Sequence, residues 1–132
     1  MGQRVLICGD RYWSNIDLIR DVIYNMTDID VIIEGECSGA DVMGKTIAQE
    51  LNLTLLQFPA NWLRYGRGAG PIRNQQMLDE GKPTLVLAFH NNINKSKGTK
   101  DMVERAKKNK IPVQIITEWG NTQIVVDKLR GD

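Results

Sequence analysis

The chain has 132 residues, 42% of them hydrophobic and 25% charged, with a formal net charge of +1. That composition predicts one globular domain over residues 1–132, since a chain this size buries about two-thirds of its extended surface. It excludes a disordered protein, a membrane span, which needs roughly 20 consecutive apolar residues, and a general nucleic-acid or membrane-surface binder, which carries a basic excess.

Residues 1–10 lack the basic and apolar regions of a signal peptide, so a cytoplasmic location is expected. Cys8 and Cys37 are too few for a disulfide scaffold or a metal site and read as free thiols. No metal and no cofactor are expected.

Short apolar runs alternate with helical periodicity. Arg4 to Cys8 is a β-branched run closed by Gly9-Asp10, which predicts a buried strand. Ser14 or Asn15 caps a helix in which Ile16, Ile19, Ile23 and Met26 recur at helical spacing. Asp30 to Ile33 is a second strand, ended by Gly35. A helix follows from about Asp41, its N-cap, to Leu51. Thr54 to Phe58 is a third strand, stopped by Pro59.

Ala60 to Gly70 reads as a long loop, and Pro71 as the first residue of the next helix, where its missing donor is harmless. That helix carries Met77 and ends near Gly81. Thr84 to Phe89 is a fourth strand, Thr99 to Asn109 a helix with Met102, Val103 and Ala106 inward, and Val113 to Ile116 a fifth strand. In the tail 118–132, Ile124, Val125 and Leu129 fit either a short helix or an extension of the sheet.

This alternation predicts an α/β fold of three layers, a mostly parallel sheet of about five strands with helices on both faces. Such sheets bind ligands outside the carboxyl ends of their strands. Three loops lie there: Gly9-Asp10-Arg11, Gly35 to Gly39 with Glu36 and Ser38, and Lys97-Gly98-Thr99. Glycine admits close backbone approach, and the helix starts behind these loops offer free amides to phosphate.

Charge adds a second signal. No acid occurs between Glu50 and Asp79, a stretch that holds Arg64, Arg67 and Arg73. Arg73 falls near a helix start, where a cation opposes the helix dipole and is explained by an anion at the same end. The expected anion is a small ligand, so removing Arg73 should barely change stability. Trp62 and Tyr65, in the loop, either stack on a base or pack the loop down.

Gly39-x-x-x-x-Gly44-Lys45-Thr46 fits the phosphate loop of nucleoside triphosphatases. However, Lys45-Thr46 lies inside a helical period rather than opening it, which predicts Lys45 as a solvated surface residue. His90, the single histidine, reads as a polar loop residue at a strand end.

Taken together, Gly9-x-Arg11, Gly35 through Ser38-Gly39-Ala40-Asp41, Trp62-x-x-Tyr65-Gly66, Ala69 through Arg73-Asn74-x-x-Met77 and Gly98-Thr99 resemble the YspA/YpsA-related branch of the SLOG superfamily. That superfamily also holds the DprA (Smf) proteins and the LOG phosphoribohydrolases. The resemblance implies a Rossmann-like sheet and a nucleotide or nucleotide-derived, ADP-ribose-like ligand. It implies a ligand site of Gly9, Asp10, Arg11, Gly35, Ser38, Gly39, Ala40, Asp41, Arg73, Asn74, Met77, Gly98 and Thr99. It also raises hydrolysis of the base–ribose bond of a nucleoside monophosphate. The glutamate that LOG enzymes use falls on Met102, so a glycosidase here would have to draw on Glu36, Asp101 or Asp41, the last of which is expected to be occupied capping its helix. A sensor or binding module for a small nucleotide-like ligand is therefore the first expectation, that hydrolase the second and a phosphate-loop NTPase the third. No nucleic-acid or membrane partner is expected, and self-association stays open.

Overall fold

A computed structural model describes residues 2–120 and the strand at 122–125. The elements run β1 (Gln3–Gly9), α1 (Ile16–Tyr24), β2 (Ile29–Glu34), α2 (Ala40–Glu50), β3 (Thr54–Gln57), α3 (Trp62–Tyr65), α4 (Ala69–Gly81), β4 (Leu85–Phe89), α5 (Gly98–Lys108), β5 (Val113–Ile116) and β6 (Thr122–Val125). The sheet order is β3-β2-β1-β4-β5-β6. Strands β1 to β5 are mutually parallel, and β6 pairs antiparallel with β5 from Val113–Val125 to Ile116–Thr122. The tail thus extends the sheet over Ile124 and Val125; Leu129 lies outside the described residues.

Strand alternation builds the two cores. Val5, Ile7, Ile32, Leu87 and Phe89 face α1 and α2, while Leu6, Cys8, Ile33, Val86 and Ala88 face α4 and α5. Successive side chains of a strand point to opposite faces, so a strand covered on both faces must be apolar throughout. β4 is the clearest case, all five residues being buried. α1 starts where Asn15 Oδ1 accepts from the Leu18 amide at 3.1 Å and buries Ile19 and Ile23. α5 buries Met102, Val103 and Ala106, as their spacing predicts.

Two boundaries differ from expectation. Residues 60–70 are not an irregular loop. Asn61 caps α3 by accepting from the Arg64 amide at 3.1 Å, a 3₁₀ turn covers Gly66–Gly68, and α4 begins at Ala69. Pro71 is therefore the third residue of α4, a place still free of cost because the first four helix amides have no intrahelical acceptor. Helical apolar periodicity cannot reveal a four-residue helix, which completes barely one turn.

Strand order reverses between β1 and β4: the chain leaves β1 toward β2 and leaves β4 toward β5. The crevice at their carboxyl ends is where a doubly wound sheet binds ligands. Gly9 sits there, and a Cβ added to it would lie 2.9 Å from Ala40 Cβ and collide with the Phe89 carbonyl oxygen. Gly9→Ala should cost about 1–3 kcal/mol, the usual range for overpacking. At Gly98 an added Cβ meets nothing within 4 Å, so Gly98→Ala should leave stability unchanged. Urea unfolding midpoints of the two variants check the pair.

Candidate functional site

Two cavities open along the carboxyl rim. The larger, about 570 Å³, lies at the reversal point between the β1 loop and the segment joining β4 to α5. Gly9, Asp10 and Arg11 form one wall, and Lys97, Gly98 and Thr99 the other. The smaller, about 240 Å³, lies at the ends of β2 and β3 and is lined by Gly35, Glu36, Trp62 and Arg73 among others. Cys37 borders both.

The larger cavity is cationic. Arg11, Lys95 and Lys97 face it against one carboxylate, Asp10. Among the described residues none of the three cations takes part in an ion pair. Asp10 Oδ1 accepts from the Tyr12 amide at 2.9 Å, which shapes the turn after β1. Ser96 Oγ accepts from the Thr99 amide at 2.9 Å and so occupies one of the first amides of α5. His90 also lines this cavity, its Nδ1 accepting from the Asn92 amide at 2.9 Å.

Of the residues proposed from sequence, five line the larger cavity: Gly9-Asp10-Arg11 and Gly98-Thr99. Gly35 and Arg73 line the smaller one. The others serve the frame. Ala40 is fully buried against Gly9, and Met77, 2% exposed, packs in the core beneath α4. Gly39 is pressed on the Asp10 and Arg11 backbone, with φ +80°. Ser38 Oγ donates to the Arg11 carbonyl at 3.3 Å. Asn74 is buried, and its Nδ2 donates to the Gly98 carbonyl at 3.2 Å and to Asp101 Oδ2 at 2.9 Å. Sequence reasoning missed Tyr12, Asn91, Asn92, Lys95 and Ser96, which line the larger cavity. The lysine pair around Ser96 was the available signal.

Asp41 does not cap α2; that place belongs to Gly39. Its Oδ2 instead reaches back to accept from the Gly35 amide at 3.1 Å and the Cys37 amide at 3.3 Å. Arg73 stands over the same loop. Its Nη1 donates to the Gly35 carbonyl, and its Nε to Asn74 Oδ1 at 3.1 Å. Burial pushes Asp41 up to about 6, and the charge of Arg73 is the largest influence pulling it back down. A carboxyl of the protein thus lies within the electrostatic reach of Arg73, and Arg73 is the fifth residue of α4 rather than one of its first turn. Arg73→Ala should cost about 1–3 kcal/mol, because it strips the Gly35 carbonyl of its donor and removes the positive charge that favours the ionised form of the buried Asp41. A melting temperature equal to the parent's would refute this.

The two candidate catalytic acids are engaged elsewhere. Glu36, at φ +59°, is held by Lys45 Nζ at 3.2 and 3.3 Å and by Gln57 Nε2. Asp101 Oδ2 accepts from Asn74 and, at 2.8 Å, from Arg105 Nε. Met102 is 1% exposed. Lys45 is therefore in mid-helix, as expected, but paired rather than simply solvated. Thr46 Oγ1 donates to the Val42 carbonyl at 3.1 Å within the same helix. Lys45 and Thr46 do not open a helix under a phosphate, which is the geometry a phosphate loop requires.

Glu34 is fully buried at the end of β2, and its Oε1 accepts from the Glu36 amide at 2.7 Å. Its Oε2 has no hydrogen-bond donor, and burial pushes this carboxyl up to about 8, so it is protonated at neutral pH. Glu36 moves the other way, held below the usual carboxylate range first by the neutral Glu34 carboxyl and then by Lys45 and Gln57. Burial also pushes the Cys8 thiol up, which makes it inert. Among the described residues no group of three His, Cys, Asp or Glu side chains could hold a metal ion, and no helix is long and apolar enough to cross a membrane.

A mainly parallel sheet with helices on both faces and a cleft at the strand-order reversal defines the chain as a Rossmann-like α/β protein. Residues 3–65, just under half of the chain, match the model of the YspA, cpYpsA-related SLOG family, the same family that the sequence motifs resemble. The fold is similar to that of DNA processing protein A (DprA) from Streptococcus pneumoniae, with a TM-score of 0.70 at 18% identity. That alignment covers 87% of this chain and 50% of the DprA chain, so this chain spans about half the length of that neighbour. No curated protein matches it.

The Glu34 carboxyl gives a pH prediction. Its folded value lies above its ordinary 4.5, so the unfolded chain releases this proton first and stability falls as pH rises from about 5 to 8. Asp41 has the same sign but completes its change near 6. Between pH 6 and 8 the parent should therefore lose stability that Glu34→Gln retains, by up to about 1.4 kcal/mol per pH unit. Urea unfolding at pH 6, 7 and 8 checks this; parallel slopes for the two proteins would contradict it.

Proposed function

We propose that this protein is a binding or sensor module for a phosphorylated nucleoside or nucleotide derivative of the ADP-ribose class, whose phosphate enters the cavity between β1 and β4. The observation that carries this reading is the electrostatic character of that cavity. Arg11, Lys95 and Lys97 line it with no ion-pair partner of their own among the described residues, against the single carboxylate of Asp10. Cations without partners at a concave, glycine-walled rim favour an anionic small ligand, and the start of α5 adds the positive end of a helix dipole. The family supports the same reading, since nucleotide ligands are what the SLOG resemblance implies. The DprA neighbour is titled a DNA-processing protein, but its 18% identity supports the fold alone.

The second reading, hydrolysis of an N-glycosidic bond, needs a carboxylate beside the developing charge on the sugar. Glu36 and Asp101 are both tied to protein cations, and Asp10 is the acid that lines the cavity. If this chain is an enzyme, Asp10 is its candidate acid. Incubation with a panel of nucleoside monophosphates should release no free base; release that disappears in Asp10→Asn would move the assignment to the hydrolase.

Binding itself is tested by calorimetry with nucleoside mono- and diphosphates and ADP-ribose. Lys95→Ala and Lys97→Ala should each weaken binding about five- to tenfold, the low end for exposed charge-assisted contacts, and added salt should weaken the parent too. Lys45→Ala and a chelator should leave affinity unchanged, because Lys45 is paired with Glu36 inside α2. Loss of binding in Lys45→Ala with full binding in the other two variants would overturn the assignment.

A further inference from the structure

We propose that the smaller cavity, at the ends of β2 and β3, is the subsite for the planar base of the ligand, with Trp62 as stacking platform and Arg73 Nη2 as donor to an acceptor on the base edge. The proposal rests on the phosphate site above and extends it by naming what lies at the ligand's other end.

Trp62 is unusual among the described tryptophans. Trp13 is 4% exposed, donates from Nε1 to the Asn15 carbonyl at 2.9 Å and meets Phe89 edge-on, so its role is internal. Trp62 lines a cavity yet stays 56% exposed. On the α4 side Gly70 lies next to the ring, where an added Cβ would come 3.6 Å from it. The Asn61 cap holds the turn that carries it. An indole on a capped turn and open to a cavity is a stacking surface, and every base offers a π-face to one.

Arg73 supplies the edge. Two of its three guanidinium nitrogens are spent, Nη1 on the Gly35 carbonyl and Nε on Asn74 Oδ1. Nη2 has no hydrogen-bond partner among the described residues and belongs to a side chain lining the cavity. A fixed guanidinium with one nitrogen to spare is a donor with a defined direction, suited to a ring nitrogen or carbonyl oxygen. No acid occurs from residue 51 to residue 78 to compete for it along its own segment.

Continuity comes from Cys37, which borders both cavities. A ligand with its phosphate by Lys95 and Lys97 passes over the Cys37 loop before its base meets Trp62. That loop is held from below by Asp41, through the Gly35 and Cys37 amides.

The test uses the full chain carrying Trp119→Phe, which removes the other exposed indole, 72% exposed. AMP, GMP and ribose 5-phosphate are titrated while tryptophan emission and heat are followed. Both nucleotides should quench emission, and ribose 5-phosphate should bind without quenching. Trp62→Ala should weaken both nucleotides about tenfold, the usual worth of one stacked base, and leave ribose 5-phosphate affinity unchanged. Trp62→Phe should recover most of the loss. Equal affinity for nucleotides and ribose 5-phosphate, or nucleotide binding indifferent to Trp62→Ala, overturns the base subsite while leaving the phosphate site standing. Binding of none of the three compounds overturns both.

Discussion

Asp41 sits two residues into α2, 4% exposed, and one of its oxygens accepts from two amides of the loop that precedes it. A carboxylate removed from water is costly unless hydrogen-bonded and matched by charge, and this one has both: two backbone donors and the Arg73 guanidinium. The arrangement ties three elements at one point. β2 ends there, α2 begins there, and α4 sends Arg73 to the Gly35 carbonyl. Asn74, next in α4, carries the connection on to the start of α5 through the Gly98 carbonyl and Asp101. The rim is therefore one hydrogen-bonded network running from β2 across α4 to α5. Both cavities hang on it.

That network separates cations with internal work from those without. Lys45 and Arg105 are paired with Glu36 and Asp101, and Arg73 donates to the Gly35 carbonyl and Asn74 while its charge acts on the nearby Asp41. Arg11, Lys95 and Lys97 take part in no ion pair among the described residues and line the same cavity. A net charge of +1 hides this distribution, because the balance is struck across the chain and not at the rim. Electrostatic attraction between solvated charges falls off over about 10 Å, so the local sign decides what the cavity attracts.

The frame was legible in the sequence because it depends on burial. β4 shows its five buried residues as an apolar run, and α5 shows Met102, Val103 and Ala106 at helical spacing. The loops after β1, β2 and before α5 were legible as glycine-bearing strand ends. The partners within the rim were not. Arg73 lies 38 residues from Gly35 and 32 from Asp41 in the chain, and a cation near a helix start looks the same whether its anion is a ligand or a neighbouring carboxylate. Asp41 was misplaced for a related reason. An Asp at a predicted helix start suggests an N-cap, but Gly39 with φ +80° already turns the chain into α2, which leaves Asp41 free to reach back. Lys95 was not legible because polar loop residues carry no periodicity.

The positions of Glu34 and Glu36 show how the fold keeps carboxylates away from an anion-binding rim. Two acids near the same strand end would repel a phosphate if both were ionised and exposed. Burial keeps Glu34 neutral, and Glu36 spends its charge on Lys45 of α2. Asp41 feels the positive charge of Arg73, and Asp101 is paired with Arg105. Glu34, Glu36, Asp41 and Asp101 are thus each offset by a proton or by basic charge, whereas Asp10 faces the larger cavity. An unpaired carboxylate there weakens phosphate attraction, so its retention calls for a compensating contact, and the Tyr12 amide it accepts at 2.9 Å supplies part of one by fixing the turn that presents Arg11. Asp10 is where the binding and hydrolytic readings of this rim diverge. The same carboxylate is a turn-former if the ligand leaves intact and a reacting group if it does not.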